Sequence, residues 1–102
     1  MIPIQRAETL CESLEEKRID EAAARVHADR FILENLRDSF CAGRPRFVLI
    51  GEDPAWSVPI LFARPNQVMG EVGEILVQAL QGVVVGFTPP REVYRNAKQY
   101  LS

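Results

Sequence analysis

Residues 66–88, NQVMGEVGEILVQALQGVVVGFT, decide the fold class of this 102-residue chain. Residues 71–80 and 83–88 are predicted to be strands. Ile75, Val77 and Ala79 would share one face of the first strand, and Val83, Val85 and Phe87 would share one face of the second. Between them, Gln81 and Gly82 predict a tight turn, because glycine readily adopts the positive φ that such turns need. The stretch therefore predicts an antiparallel hairpin.

Two more strands are predicted upstream of this hairpin. Residues 46–51, RFVLIG, and residues 58–63, VPILFA, are rich in β-branched and aromatic residues. The segment GEDPAWS between them predicts a turn that pivots on Asp53 and Pro54. Residues 64–70, RPNQVMG, predict a loop into the next strand. Four strands with short connections favour an antiparallel meander.

The N-terminal part of the chain predicts helix. No glycine occurs between Pro3 and Phe40, and good helix formers (Ala, Leu, Glu and Arg) dominate there. Asp20 can cap a new helix, so we expect two helices with a break at residues 18–20. A single kinked helix over residues 4–40 is the alternative.

The helix ends carry sequence signals of their own. The second N-terminal helix is expected to end at CAGRP, where Gly43 suits a left-handed C-terminal position and Pro45 follows it. Residues 88–102 predict a C-terminal helix with Thr88 as its cap and Pro89 as its first helical residue.

The predicted element order is ααββββα. It indicates one α+β domain over residues 1–102, with two N-terminal helices, a four-stranded antiparallel meander and a C-terminal helix. The helices and the sheet would form two layers, with the helices on one face.

Charge and composition argue against several classes of partner. The net charge is −2 and the pI is about 5.4, so no global positive field attracts nucleic acid or an anionic membrane. No apolar run approaches the roughly 20 residues that cross a bilayer, and the first 18 residues lack the apolar stretch of a secretory signal. We therefore expect a cytoplasmic protein that binds neither nucleic acid nor membrane.

The sequence predicts no metal site, no cofactor and no catalytic residue. Cys11 and Cys41 are expected to be free thiols, and together with His27 they lack the spacing of a zinc site. His27 and Cys41 lie in one predicted helix about 20 Å apart, too far for a Cys–His pair. Cys11 would approach His27 only if the two N-terminal helices packed antiparallel. An enzyme is therefore the less favoured class.

Gly70 and Gly73 form a G-x-x-G that resembles the spacing of a phosphate-contacting loop. In KH domains such a loop joins two helices and depends on basic neighbours. Here Glu71 and Glu74 stand beside the glycines, and their carboxylates would repel a phosphate. We expect Gly70 to end a loop, and Gly73 to allow a bulge or a close backbone approach within a strand.

A small-molecule pocket near Trp56 is the second function hypothesis. The lone tryptophan is either an anchor at the edge of the core or part of a binding surface. Glu52, Asp53 and Arg64 are the polar residues that such a pocket would use. A binding protein or an enzyme would follow from this arrangement.

The leading hypothesis rests on strands that are apolar on both faces. One layer of helices covers one face of a sheet, so the apolar residues of the other face need a separate cover. By parity these are Val48, Ile50, Leu61, Leu76 and Val84. The cover would be the N-terminal helices, a second subunit or another protein. We expect an interaction module that forms a homodimer through its sheet.

Residues 70–101, GEVGEILVQALQGVVVGFTPPREVYRNAKQYL, resemble the C-terminal part of small bacterial PepSY-like and immunity-protein-like domains. In those domains a strand, a glycine-containing turn, a second strand and a helix follow one another. The resemblance covers about a third of the chain and rests on the hairpin ILVQALQGVVVG. It favours an interaction module over an enzyme and implies no particular site residue.

Overall fold

The computed structural model describes residues 18–101, and the first of the two predicted N-terminal helices lies outside them. The elements in chain order are α1 (Glu21–Asn35), β1 (Phe40–Ala42), β2 (Arg46–Ile50), β3 (Asp53–Arg64), β4 (Gln67–Gln78), β5 (Val84–Phe87) and α2 (Pro90–Lys98). The predicted α+β class with an antiparallel sheet is confirmed. The described sheet has five strands, not the four predicted.

Strand β3 is the centre of the sheet. One of its edges pairs with β4 along nearly its whole length, from Ala55 opposite Gln78 to Arg64 opposite Gln67. Its other edge pairs first with β2 and further along with β1, so these two short strands share one side of β3. Strand β5 pairs with the outer edge of β4. All pairs are antiparallel, and the sheet curls into a half-barrel.

Helix α1 begins as predicted but ends early. The Asp20 side chain accepts a hydrogen bond of 2.8 Å from the Ala23 amide, which confirms the predicted cap. The helix ends at Asn35, so the predicted end near Gly43 is wrong. Strand β1 takes the place of its last turns, because pairing with β3 buries Phe40 in the core.

The turn between β2 and β3 is tighter than predicted. Asp53 already pairs with Ile50, so Gly51 and Glu52 make the whole turn, with a φ of 65° at Gly51. The predicted turn over residues 51–57 is therefore wrong beyond its first residues. Glycine is suited to this turn because L side chains rarely adopt such a φ.

Strand β4 is longer than predicted. It begins at Gln67, so the loop predicted over residues 64–70 shrinks to a short turn. Its pairing with β3 skips Val72, which makes a bulge beside Gly73. A Cβ at Gly73 would lie 3.0 Å from the Cβ of Thr88. The bulge and the close approach expected at Gly73 are thus both present.

The start of α2 differs from the prediction. Its N-cap is Pro89, which makes no side-chain capping hydrogen bond. The Thr88 hydroxyl accepts a hydrogen bond of 3.0 Å from the Glu74 amide instead. Thr88 is therefore not the cap, because its hydroxyl is engaged by strand β4.

Both helices pack on the same side of the sheet, here called the helix face. Their buried side chains form one cluster with those of the strands, so neither helix covers the opposite side, here called the open face. The fully or largely buried residues of this cluster are Ala24, Ala28, Ile32, Phe40, Ala42, Val58, Ile60, Phe62, Val72, Ile75, Val77, Val93 and Ala97.

Candidate functional site

The open face of the sheet carries mainly apolar side chains at its centre. Residues that pair directly across antiparallel strands point to the same face. Leu76 pairs with Ser57, and Val48 pairs with Ala55, and all four alternate with residues of the core. Leu61 lies on the same face further along β3.

A shallow cleft of about 250 Å³ crosses this face between β2 and β5. Its apolar lining includes Ile50, Ala55, Leu76 and Val85. Ile50 is 43% exposed and Val85 is 55% exposed. The described helices leave these side chains in contact with solvent. We call Val48, Ile50, Leu61, Leu76 and Val85 the open-face patch.

Four of the five predicted interface residues lie on the open face, and Val84 does not. The β4–β5 pairing shifts register between Leu76 and Val77, so Val84 pairs with Val77. Val84 therefore packs against the core on the helix face. Val85 lies beside Leu76 in its place. The prediction for Val84 was wrong because it assumed regular alternation, and three consecutive valines at 83–85 give no sign of the bulge in the sequence.

Charged side chains of both signs lie on the open face, between Leu61 and the other residues of the open-face patch. Arg46 pairs with Ser57 on this face, and Glu74 pairs with Pro59. The Ser57 hydroxyl donates a hydrogen bond of 2.8 Å to Oε2 of Glu74. Within residues 18–101, neither Arg46 nor Glu74 forms an ion pair. The face thus offers an unpaired guanidinium and a carboxylate next to apolar surface.

Trp56 contributes to the edge of the core. Its ring packs against the cluster of buried residues and meets the Phe47 ring edge-on, with centroids 5.4 Å apart. Its indole Nε1–H donates a hydrogen bond of 3.0 Å to the carbonyl of Ile19. The Arg18 guanidinium lies 4.9 Å from the centroid of the same Phe47 ring. Trp56 therefore joins the chain before α1 to the β2–β3 hairpin.

The predicted pocket residues are not brought together. Glu52 lies in the turn, Asp53 begins β3 and Arg64 ends it. At about 3.3 Å per residue these ends of the 12-residue strand are roughly 36 Å apart. Trp56 points to the helix face, whereas Asp53 pairs with Ile50 on the open face. The four residues do not form a common cleft.

The candidate nucleophile and metal ligands are also dispersed. Cys41 is a free thiol that pairs with Leu61 on the open face. His27 lies on α1 against Gly82, on the helix side of the sheet. No three His, Cys, Asp or Glu side chains within residues 18–101 are grouped as metal ligands.

A larger cleft, about 470 Å³, lies between α2 and the segment that joins α1 to β1. Phe40, Phe62 and Tyr94 contribute aromatic walls, and Arg37 and Lys98 contribute positive charge. Sequence reasoning missed this cleft, since its two cations are 61 positions apart and no motif links them. Only the packing of α2 on the sheet brings them together.

No family model, curated protein or solved structure matches the chain. The resemblance of residues 70–101 to PepSY-like and immunity-protein-like domains therefore stays a prediction. Neither helix in the described part of the chain is long and apolar enough to span a membrane.

Proposed function

We propose that this chain is a protein-interaction module that forms a homodimer through the open face of its sheet. The observation that carries the proposal is the open-face patch, in which Ile50 and Val85 are exposed and the other three residues are half-buried, and which no described helix covers. Large exposed apolar patches rimmed by polar residues are typical of protein-binding surfaces. Burying the patch removes apolar area from water, which is the main favourable term in association.

A second copy of the same chain is the partner that the patch fits best. A two-fold contact places the same surface of each subunit against the other, so the surface must be self-complementary. The open face offers charges for such a contact, because it carries both an Arg46 and a Glu74 that have no ion-pair partner within residues 18–101. A two-fold arrangement that places Arg46 of each copy beside Glu74 of the other would pair both charges.

The size of the open face indicates the strength of this contact. Strand spacings of about 4.8 Å and a rise of about 3.3 Å per residue give the face an area on the order of 600 Å². A standard stable interface buries about 800 Å² on each partner. We therefore expect a dimer at the smaller end of the range, which dissociates in the micromolar range.

Sedimentation equilibrium between about 1 and 500 μM measures the oligomeric state, and circular dichroism monitors folding. Wild type is expected to change from monomer to dimer across this range, which brackets micromolar dissociation. Leu76→Glu is expected to remain monomeric and folded, because it places a charge at the centre of the dry contact. Ile50→Arg at the margin of the patch serves as a second variant in case Leu76→Glu fails to fold.

Leu33→Glu is the matched control, since Leu33 is 78% exposed on α1, away from the open face. This variant is expected to dimerise like wild type. A wild type that stays monomeric at several hundred micromolar contradicts the proposal. Dissociation by Leu33→Glu, with Leu76→Glu still dimeric, would place the interface on the helix side.

A further inference from the structure

We propose that the cleft between α2 and the segment before β1 binds a small molecule with a carboxylate head and an apolar body. This site lies on the helix face, so it is separate from the open-face patch, and its occupancy does not depend on dimerisation. Its volume of about 470 Å³ lies within the usual range for small-molecule pockets, roughly 300–1,000 Å³.

The inner wall of the cleft is aromatic. Phe40 and Phe62 are 8% and 6% exposed, and their ring centroids are 5.5 Å apart. Tyr94 meets the Phe40 ring edge-on at 5.6 Å. Ala97 lies beside them on α2, and its small side chain leaves space between the helix and the strands. Such walls suit an aliphatic chain or an aromatic ring.

The rim of the cleft is positively charged. Arg37 and Lys98 line it, and no acidic side chain occurs among its described lining residues. Within residues 18–101 neither of these cations forms an ion pair. This local positive field contrasts with the net charge of −2 of the whole chain, so it favours an anion at this place.

Arg37 contacts an aromatic ring of the cleft in the absence of any ligand. Its guanidinium carbon lies 5.6 Å from the centroid of the Tyr94 ring, which is cation–π geometry. A guanidinium held over a ring still presents its N–H edge to a carboxylate, and the contact can be bidentate. The hydroxyls of Ser39, which also lines the cleft, and of Tyr94 form no hydrogen bond with the described residues. Both remain free to donate to the same head group.

Sodium decanoate is the probe, titrated into ¹⁵N-labelled full-length protein and followed by amide chemical shifts. We expect saturable binding, with the largest shifts at Phe40, Phe62 and Ala97. Decanol has the same alkyl chain as decanoate without the negative charge. It is expected to bind about tenfold more weakly, since a charged head group forms the stronger hydrogen bonds.

Arg37→Gln and Lys98→Gln are the test variants, and each is expected to weaken decanoate binding about tenfold. Arg91→Gln is the matched control, because Arg91 is an exposed cation on α2, the helix that carries Lys98, and does not line the cleft. It changes the net charge of the chain equally and is expected to bind like wild type.

Three results overturn the proposal. The first is an absence of saturation up to millimolar decanoate. The second is a set of chemical-shift changes centred on the open-face patch, which would mean that decanoate binds there through its alkyl chain. The third is equal weakening by Arg91→Gln and Arg37→Gln, since this shows attraction by net charge without a site.

Discussion

The Ser57 hydroxyl and the Glu74 carboxylate are joined by a hydrogen bond of 2.8 Å across β3 and β4. Ser57 is only 3% exposed, so its hydroxyl needs a partner within the protein. The same bond holds the Glu74 carboxylate beside the apolar side chain of Leu76. The negative charge of the open face is thus positioned by the sheet itself.

Ser57→Ala is expected to lower the free energy of unfolding by about 1 kcal/mol, because it removes this hydrogen bond while the carboxylate regains water. Urea denaturation at low protein concentration measures the change in the monomer. Ser39→Ala is the matched control, since Ser39 is exposed and its hydroxyl forms no hydrogen bond with the described residues. Equal stability of wild type and Ser57→Ala would mean that the bond contributes nothing net.

Substitution of Gly51 tests whether the β2–β3 turn requires a positive φ at this position. Its φ is 65°, and nothing lies within 4 Å of a Cβ placed there. Gly51→Ala is therefore expected to cost about 1–2 kcal/mol through conformation alone. Glu52→Ala is the matched control, because Glu52 is the other residue of the turn and its φ is not positive. Thermal or urea unfolding of the two variants measures the difference, and equal losses would contradict a conformational origin.

Substitution of Gly73 tests how closely β4 packs against the start of α2. A Cβ at Gly73 would lie 3.0 Å from the Cβ of Thr88 and 3.2 Å from a methyl group of Val93. Gly73→Ala is expected to lose about 1–3 kcal/mol of stability, since overpacking forces backbone shifts.

Gly86→Ala is the matched control for Gly73→Ala. The Cβ of this variant would approach the end of the Leu76 side chain at 3.2 Å, and that methyl group can move aside. The loss of stability in urea denaturation is expected to be smaller than for Gly73→Ala. The reverse order would mean that α2 moves away from the sheet more easily than a single side chain does.

The predictions that succeeded depend on local signals. Apolar and β-branched residues on either side of the Gln81–Gly82 turn predicted both strands of the β4–β5 hairpin, and Asp20 predicted the start of α1. Strand β1 was missed because its residues continue the helical pattern of α1. Phe40 becomes part of a strand only through its pairing with Phe62, twenty-two positions later. A pattern confined to neighbouring residues contains no information about that partner.

For the candidate site residues, too, local patterns predicted the positions within regular strands and failed where the strand is irregular. Strand parity placed Val48, Ile50, Leu61 and Leu76 on one face correctly, since side-chain direction alternates within any regular strand. It failed at Val84, because a bulge adds one residue and reverses the alternation.

By itself the sequence determined the α+β class, the start of α1 and most of the apolar open face. Each of these follows from propensities and periodicities within about ten neighbouring residues. The tertiary structure alone decided the fifth strand, the separation of Asp53 from Arg64 and the meeting of Arg37 with Lys98. These features depend on which distant segments pack together. Burial of the whole core selects that packing, and no short stretch of residues encodes it.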